Sequence, residues 1–212
     1  MIRLLAIWLA LLLLVTAACG STPTSPSAIP TPIRRVVVLG DSLAVSPSIE
    51  ESFPSQLQGR VDAQRLRWTV VNAGVNGDTT ADGLRRLDPL LTSDAGVLVV
   101  ELGANDGLQG VPLSTIEQNL LTILQRARER NVRPLLCGME TPPTHGLDYS
   151  VAFHVIFPTV AQQRSAPLIP FLLAGVALVP ELNGADLVHP NAAGARRIAD
   201  TVWAYLGPML QN

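Results

Sequence analysis

Five short apolar runs divide the sequence after residue 34, and segments with helical spacing separate them. The runs are apolar along most of their length, which is typical of parallel strands that are covered on both faces. A chain that alternates such strands with helices needs right-handed crossovers. The sequence therefore predicts a three-layer α/β/α sandwich with a five-stranded parallel sheet in the flavodoxin-like order. The predicted strands are Arg35–Leu39, Trp68–Asn72, Val97–Leu102, Pro134–Met139 and Leu168–Leu172.

Five further segments place apolar residues at helical intervals. Pro54, Pro89 and Pro158 fall within three of them, and a proline inside a helix bends or ends it. Ser114 and Glu117 fit a capping box at the start of the clearest helix. The predicted helices are Ile49–Leu57, Thr80–Leu91, Ser114–Arg130, Tyr149–Gln163 and Asn191–Leu206.

The first 32 residues differ in composition from the rest and predict export to a bacterial cell envelope. Residues 1–18 contain the basic residue Arg3 followed by an almost unbroken apolar stretch, which is the pattern of a signal peptide. The apolar stretch is too short to span a membrane comfortably. Small residues then lead to Cys19, which resembles the lipidated first residue of a bacterial lipoprotein. Ordinary cleavage after Ala18 is the alternative. Residues 19–32 are rich in Ser, Thr and Pro and predict a tether, and residues 33–212 predict one folded domain.

The charge composition argues against a nucleic-acid partner. The net charge is -2, charged residues make up 15% of the chain, and no basic stripe is visible. Of the two cysteines, Cys137 lies in the apolar run Pro134–Cys137. A lipidated Cys19 would leave it without a partner, so Cys137 is predicted to be a buried structural thiol.

Polar motifs follow the first three predicted strands, and a fourth motif precedes the last predicted helix. The carboxyl ends of parallel strands meet at one edge of a sheet, near the point where the strand order reverses. We therefore expect the motifs to lie together at that edge, although they are far apart in sequence. They are Gly40–Leu43, Asn76–Thr79, Gly103–Asp106 and Asp186–His189.

These motifs contain the groups that acyl transfer to water requires. Ser42 is the candidate nucleophile, His189 the candidate base, and Asp186 the carboxylate that would orient the imidazole. Taken singly, Ser42 is better explained as a helix cap. His145 and His154 are rival histidines, and both are interpreted as structural or rim residues.

Gly77 and Asn105 are candidate oxyanion donors, through a backbone N–H and a side-chain amide. A turn glycine and an Asx-turn asparagine are the alternative interpretations. The neighbouring Asp41, Asp78 and Asp106 are interpreted as carboxylates of the loop network. No His/Asp cluster with metal spacing accompanies them, so we expect neither a metal nor a cofactor.

Together the motifs resemble those of the SGNH (GDSL) hydrolase superfamily, and more narrowly those of the bacterial thioesterase I, lysophospholipase and arylesterase group. The resemblance extends over nearly the whole of residues 36–206. The roles that it implies are a catalytic triad of Ser42, Asp186 and His189, and an oxyanion hole formed by the Ser42 N–H, Gly77 and Asn105.

The resemblance also implies that Asp106–Leu113 is a mobile lid over an acyl chain, with hinges at Gly107 and Gly110. An ordinary loop is the alternative. Three apolar residues of this segment are candidate substrate contacts. They are Leu108, Val111 and Leu113. The family's glycine pair before the asparagine is Gly103–Ala104 here, which narrows the backbone near the site.

The expected function is hydrolysis of acyl esters or thioesters, of the arylesterase, thioesterase or lysophospholipase type, through an acyl-enzyme. Aromatic residues make up only 4% of the chain, and the apolar loop favours an acyl chain over a sugar. Carbohydrate O-deacetylation is the first alternative, and a non-catalytic envelope-binding lipoprotein is the second. The expected partners are a small-molecule or lipid acyl ester and a membrane, held through Cys19, and the oligomeric state stays open.

Overall fold

A five-stranded parallel sheet forms from the predicted apolar runs. The computed structural model describes residues 33–211, and all four pairs of neighbouring strands in it are parallel. The order is β2-β1-β3-β4-β5, which confirms the predicted topology. The strands are β1 (Arg34–Gly40), β2 (Trp68–Gly74), β3 (Ala95–Glu101), β4 (Arg133–Cys137) and β5 (Leu168–Ile169).

Helices cover both faces of this sheet. They are α1 (Ser42–Val45), α2 (Phe53–Ala63), α3 (Thr80–Arg85), α4 (Ala104–Gln109), α5 (Leu113–Glu129), α6 (Leu147–Gln163) and α7 (Ala192–Leu210). Helix α2 packs against α7, whereas α5 packs against α3 and α6. These two groups form the outer layers of the predicted sandwich.

The core lies on the two central strands. Every residue of β3 is buried, as are the last five residues of β1. Helix α5 contacts the neighbouring strand β4, and its apolar stripe is fully buried, as its spacing predicts. The stripe comprises Ile116, Leu120, Ile123, Leu124 and Ala127. Burial of each large aliphatic side chain contributes about 1.5–3 kcal/mol, so this stripe fixes α5 on the sheet.

Prolines explain where the helices differ from the prediction. Pro54 lies in the first turn of α2 and does not interrupt it, because the amide that proline lacks has no partner there. The predicted Thr80–Leu91 helix ends at Arg85, and Pro89 lies in a separate 3₁₀ turn, Asp88–Leu90.

The predicted capping box at Ser114 was wrong. Pro112 occupies the N-cap of α5, and no side chain caps that helix. A capping box does form at α3, where the Thr79 hydroxyl accepts from the Asp82 amide and the Asp82 carboxylate accepts from the Thr79 amide.

The strand ends place the polar motifs at one edge of the sheet, called here the carboxyl edge. Helices α1, α3 and α4 begin there, directly after β1, β2 and β3. The turn-rich segment between β5 and α7 returns to the same edge, with a 3₁₀ turn at Pro180–Leu182. No helix between residues 33 and 211 is both long and apolar enough to cross a bilayer.

Candidate active site

Ser42 is the first residue of α1, immediately past β1. Asp41 caps this helix, because its Oδ1 accepts a hydrogen bond from the Leu43 amide at 3.0 Å. Gly40 is required for space, since a Cβ there would collide with the Glu101 carboxylate and with Ala44. The sharp passage from strand to helix leaves the Ser42 hydroxyl half-buried at the carboxyl edge.

The structure brings Ser42, His189 and Asp186 into one chain of hydrogen bonds. His189 Nε2 lies 2.9 Å from Ser42 Oγ, and His189 Nδ1 lies 2.7 Å from Asp186 Oδ2. The other carboxylate oxygen of Asp186 accepts from the amides of Val188 and His189, each at 3.0 Å. These bonds, the His189 side chain first, hold the pKa of Asp186 well below its usual range. Asp186 therefore stays ionised and faces the ring nitrogen distal to the serine.

The turn that carries His189 is braced from both sides. The amide of Gly184 donates to the carbonyl of His189 at 2.8 Å, and Asn183 pairs with Pro190 in an antiparallel bridge. Asn191 then caps α7 by accepting from the amides of its first turn. The imidazole is thus fixed by the backbone and by the start of the last helix.

Three candidate oxyanion donors border the same space. A cavity of about 460 Å³ is lined by Ser42, Ser46, Asn76, Gly77, Asn105 and His189. Gly77 has a φ of 81°, which favours glycine. Among residues 33–211, no group accepts a hydrogen bond from the amides of Ser42 or Gly77.

The amide of Asn105 is held by two acceptors. Its Nδ2 donates to Asp41 Oδ2 at 3.1 Å and to the carbonyl of Asp78 at 3.0 Å. Both amide protons therefore have partners within the protein. Donation to an oxyanion requires one of these bonds to be shared or exchanged.

The remaining motif carboxylates tie the loops together, as interpreted from the sequence. Asp78 pairs with Arg86 at 2.6 Å. Asp106 is buried and accepts from both the amide and the hydroxyl of Thr80, at 2.8 and 2.6 Å. Within the described part of the chain, no group of three or more His, Cys, Asp or Glu side chains could hold a metal ion.

Glu101 belongs to this site, although the sequence analysis did not single it out. It ends β3 with no exposed surface, and its Oε2 accepts from the Asp41 amide at 3.1 Å. Burial raises the pKa of Asp41 to about 6, and burial followed by the Asp41 charge raises the pKa of Glu101 well above its ordinary value. The available signal was one carboxylate in an otherwise apolar run.

The rival residues lie apart from the nucleophile. His145 Nε2 contacts the carbonyl of Leu108 at 2.9 Å, and His154 pairs with Glu140 at 2.6 Å. Neither histidine lines the cavity beside Ser42. Cys137 is a buried free thiol, which confirms that prediction, and burial raises its pKa well above the ordinary value.

The segment after Asn105 is partly helical. The predicted lid, Asp106–Leu113, overlaps α4, which begins after Gly103 and ends before Gly110, both with positive φ. Leu108 is half exposed, whereas Val111 and Leu113 pack against the core. None of these three candidate contacts lines the cavity itself.

Comparison with known proteins gives consistent matches. Residues 38–197 match the GDSL-like lipase/acylhydrolase family. The chain is 38% identical over 180 residues to esterase TesA of Pseudomonas aeruginosa, covering 84% of this chain and 90% of that protein. It is 36% identical to thioesterase 1/protease 1/lysophospholipase L1 of Escherichia coli, covering 84% and 85%.

A solved structure gives the same result. The crystal structure of TesA superposes with a TM-score of 0.79 at 37% identity, and the match covers 84% of this chain and all of that one. The resemblance inferred from the motifs is thereby confirmed. The chain belongs to the GDSL-like lipase/acylhydrolase family, whose members hydrolyse ester bonds.

Proposed function

We propose that this chain is a serine esterase that cleaves acyl esters and thioesters through an acyl-enzyme on Ser42. Membership of the family establishes a hydrolase that acts on esters. One observation carries the assignment of residues: the hydrogen-bond chain from Asp186 through His189 to Ser42 Oγ, with distances of 2.7 and 2.9 Å, ends at the cavity.

The first half of the reaction forms the acyl-enzyme. Ser42 Oγ attacks the acyl carbonyl while His189 Nε2 takes its proton, and Asp186 stabilises the imidazolium. The carbonyl oxygen becomes an oxyanion, which the amides of Ser42 and Gly77 and the side chain of Asn105 would bind. Collapse of the tetrahedral intermediate breaks the bond to the leaving group, which receives the proton from His189. Water then repeats these steps and releases the acid.

The substrate class follows from the relatives and from the loop beside the site. Proteins named esterase and thioesterase/lysophospholipase are among those most similar to this chain. Leu108 presents an exposed apolar side chain on α4 and is the best placed of the three candidate substrate contacts. An acyl chain that leaves the cavity along this segment would cover it.

A second candidate is O-deacetylation of a carbohydrate. The residues that line the cavity are all polar or glycine, namely Ser42, Ser46, Asn76, Gly77, Asn105 and His189. Such a lining suits a short acyl group with a polar alcohol. The length of the preferred acyl chain separates the two candidates.

Export and anchoring complete the proposal. Residues 1–18 would be a signal peptide, Cys19 the lipidated residue, and residues 19–32 the tether to the hydrolase domain. All of these lie outside the described residues. The support is the sequence pattern alone. Cys19→Ala is expected to move the activity from the membrane fraction to the soluble envelope fraction, and unchanged membrane retention would contradict lipidation.

The activity is tested with p-nitrophenyl esters from acetyl to palmitoyl. Ser42→Ala is expected to lower kcat by about 10³-fold or more, because the nucleophile is lost. Ser46→Ala is a matched control, since Ser46 lines the same cavity and donates to the Ser42 carbonyl at 2.7 Å. A fluorophosphonate probe should label the control but not Ser42→Ala. Full activity of Ser42→Ala would overturn the mechanism, and activity confined to acetyl would favour the deacetylase.

A further inference from the structure

Unpaired arginines gather at the amino edge of the sheet, opposite the carboxyl edge. Arg34 and Arg133 are the first residues of β1 and β4, and Arg67 directly precedes β2. Within residues 33–211, six arginines near this edge form no ion pair, whereas Arg35, the second residue of β1, pairs with Asp94. This set, called the arginine face, consists of Arg34, Arg65, Arg67, Arg128, Arg130 and Arg133.

Two of these cations are held close together. The guanidinium carbons of Arg34 and Arg133 lie 5.2 and 6.0 Å from the ring centroid of Trp68. Burial, followed by the charge of Arg34, lowers the pKa of Arg133. A groove of about 500 Å³ lies beside this pair, and Arg128 and Arg133 line it.

Only some side chains of the arginine face have hydrogen-bond partners at the ends of helices. Arg128 and Arg133 donate to the carbonyls of Ser165 and Met209, which suits the negative end of a helix dipole. The side chains of Arg65, Arg67 and Arg130 make no hydrogen bond with any described residue. Three exposed guanidinium groups are therefore free to bind an anion, and guanidinium matches phosphate oxygens well.

The carboxyl edge is the more acidic of the two, although Asp62, Asp94 and Glu129 place exposed carboxylates near the amino edge as well. The two arginines of the carboxyl edge, Arg85 and Arg86, both pair with aspartates. Exposed carboxylates there include Glu50, Glu51, Glu140, Asp148 and Glu181. An anionic surface would thus attract the amino edge and repel the edge that holds the candidate active site.

The position of the arginine face next to the N-terminal segment favours a membrane as the anionic surface. β1 begins at Arg34, within the arginine face, and Cys19 lies only a short way before it. Fully extended, residues 20–32 would span roughly 45 Å, so an anchor at Cys19 would hold this face near the bilayer. We propose that the arginine face docks on a bilayer that contains anionic phospholipid, with the active site directed away from it. Only the anchoring part rests on the proposed function.

Vesicle sedimentation tests this docking. The chain from Thr31 onward is suitable, because residues 31–212 form one compact unit. It should bind vesicles that contain phosphatidylglycerol but not pure phosphatidylcholine, and salt at about 0.5 M should release it. Arg67→Gln/Arg130→Gln should weaken binding about tenfold or more, since each basic residue near an anionic surface adds roughly fivefold.

The control removes the same charge elsewhere. Arg196 and Arg197 are exposed, unpaired within the described chain, and lie on α7. Arg196→Gln/Arg197→Gln should bind as the unaltered chain does, and both double variants should keep their activity on a soluble ester. Equal losses in the two variants, or equal binding to neutral vesicles, would overturn the docking surface without touching the esterase assignment.

A second inference concerns the carboxyl pair beneath Ser42. Asp41 and Glu101 are both fully buried, and Glu101 Oε2 accepts a hydrogen bond from the Asp41 backbone amide at 3.1 Å. Two adjoining buried carboxyl groups do not both ionise, so one of them keeps a proton. Among the described residues no donor reaches Glu101 Oε1, whereas both oxygens of Asp41 accept hydrogen bonds. The proton therefore belongs on Glu101.

This proton fixes the geometry of the proposed oxyanion hole. Asp41 Oδ2 is one of the two acceptors that hold the amide of Asn105. We infer that protonated Glu101 is a positioning residue, which orients Asp41 and, through it, Asn105. The inference rests on the proposed role of Asn105 as an oxyanion donor.

Substitutions of similar size separate positioning from packing. Glu101→Gln is neutral, as protonated Glu101 is, and can still accept from the Asp41 amide, so kcat should stay within about threefold. Glu101→Leu cannot accept that hydrogen bond, and kcat should fall about 10²-fold, as when an oxyanion donor is lost, with KM nearly unchanged. In an Asn105→Ala background, Glu101→Leu should have no further effect. An undiminished second loss would overturn the inference.

An infrared measurement covers the case in which Glu101→Leu does not fold. Native protein at pH 7 should show the carbonyl band of a protonated carboxylic acid, and Glu101→Gln should lack it. Absence of that band from the native protein would contradict the inference. The infrared band does not depend on enzyme activity. A negative result here can therefore be told apart from a failure of the proposed function, which the Ser42→Ala variant tests.

Discussion

At the residue scale, the position of Ser42 depends on groups that never touch the substrate. The Asn72 amide donates to the Ala44 carbonyl at 2.7 Å, which holds the end of the short helix α1 against β2. Gly74 leaves room for the same helix, since a Cβ there would come within 2.8 Å of Ala44. A four-residue helix cannot fix a nucleophile by itself, so the sheet does so through these contacts.

The buried carboxyl pair makes stability depend on pH. The folded-state pKa of Glu101 is raised well above 4.5, mainly by burial, so unfolding releases its proton at any pH between the unfolded and the folded pKa. Its contribution to stability is therefore complete below the unfolded pKa and is lost as pH rises towards the folded one. One released proton lowers the free energy of unfolding by about 1.4 kcal/mol per pH unit.

Glu101→Gln removes this dependence. The variant should gain stability relative to the native protein as pH rises from 5 to 8, which urea unfolding at several pH values measures. Exposed Glu51, changed to Gln, is the control, and no such trend is expected for it. A constant difference between Glu101→Gln and native protein across this range would show that Glu101 ionises in the folded state.

At this scale the sequence predicted some of the residues at the site but missed Glu101, and there is a physical reason for the difference. Ser42, His189 and Asp186 stand out in the sequence because each polar group follows or precedes a predicted element, and the structure brings these three together. Glu101 was missed because it ends a buried strand, where hydrophobic pattern analysis absorbs single polar residues. Its importance depends on contact with Asp41, which is 60 positions away.

At the element scale, α6 and the 3₁₀ turn before it, Pro143–His145, restrain the segment after Asn105. The Tyr149 hydroxyl donates to the Val111 carbonyl at 2.8 Å, and His145 contacts the Leu108 carbonyl at 2.9 Å. The family resemblance implied a mobile lid here, with Gly107 and Gly110 as its hinges, and an ordinary loop was the alternative. Here Gly110 ends α4 with a φ of 68°, and a Cβ there would approach His145. Gly110 therefore permits both the turn after α4 and the close approach of His145. The sequence pattern did not show that His145 and Tyr149 would pack against this segment.

Removal of the Tyr149 hydroxyl should loosen this segment. Tyr149→Phe keeps the ring packed against Phe153 but leaves the Val111 carbonyl without its donor, at a cost of about 0.5–1.5 kcal/mol. If the segment holds the acyl chain, KM for an octanoyl ester should rise severalfold while KM for an acetyl ester stays the same. Tyr205→Phe on the exposed side of α7 is the control. If both KM values changed by the same factor, the segment would not be a binding site for the acyl chain.

At the scale of the whole molecule, α7 links the two edges of the sheet. Its first residues follow His189 at the carboxyl edge, and its 19 residues span about 28 Å. At the far end, the Trp68 indole donates to the Leu210 carbonyl at 3.1 Å, and Arg133 donates to the Met209 carbonyl at 2.6 Å. The helix itself was predictable from its apolar spacing. Its last turn and the hydrogen bonds that hold it could not be predicted, because those bonds join residues that are far apart in the sequence.

Trp68→Phe tests whether this far end stabilises the fold without contributing to catalysis. The variant loses a buried hydrogen bond and leaves the Leu210 carbonyl unpaired, which should cost about 2–3 kcal/mol. For a domain of this size the midpoint of thermal unfolding should fall by roughly 5–10 °C. Trp203→Phe is the control, because that half-buried indole makes no hydrogen bond within residues 33–211, and its midpoint should change much less. At 25 °C both variants should keep the kcat of the native protein, since the site lies at the other end of α7. A large loss of kcat in folded Trp68→Phe would instead show that the two edges are coupled through the helix.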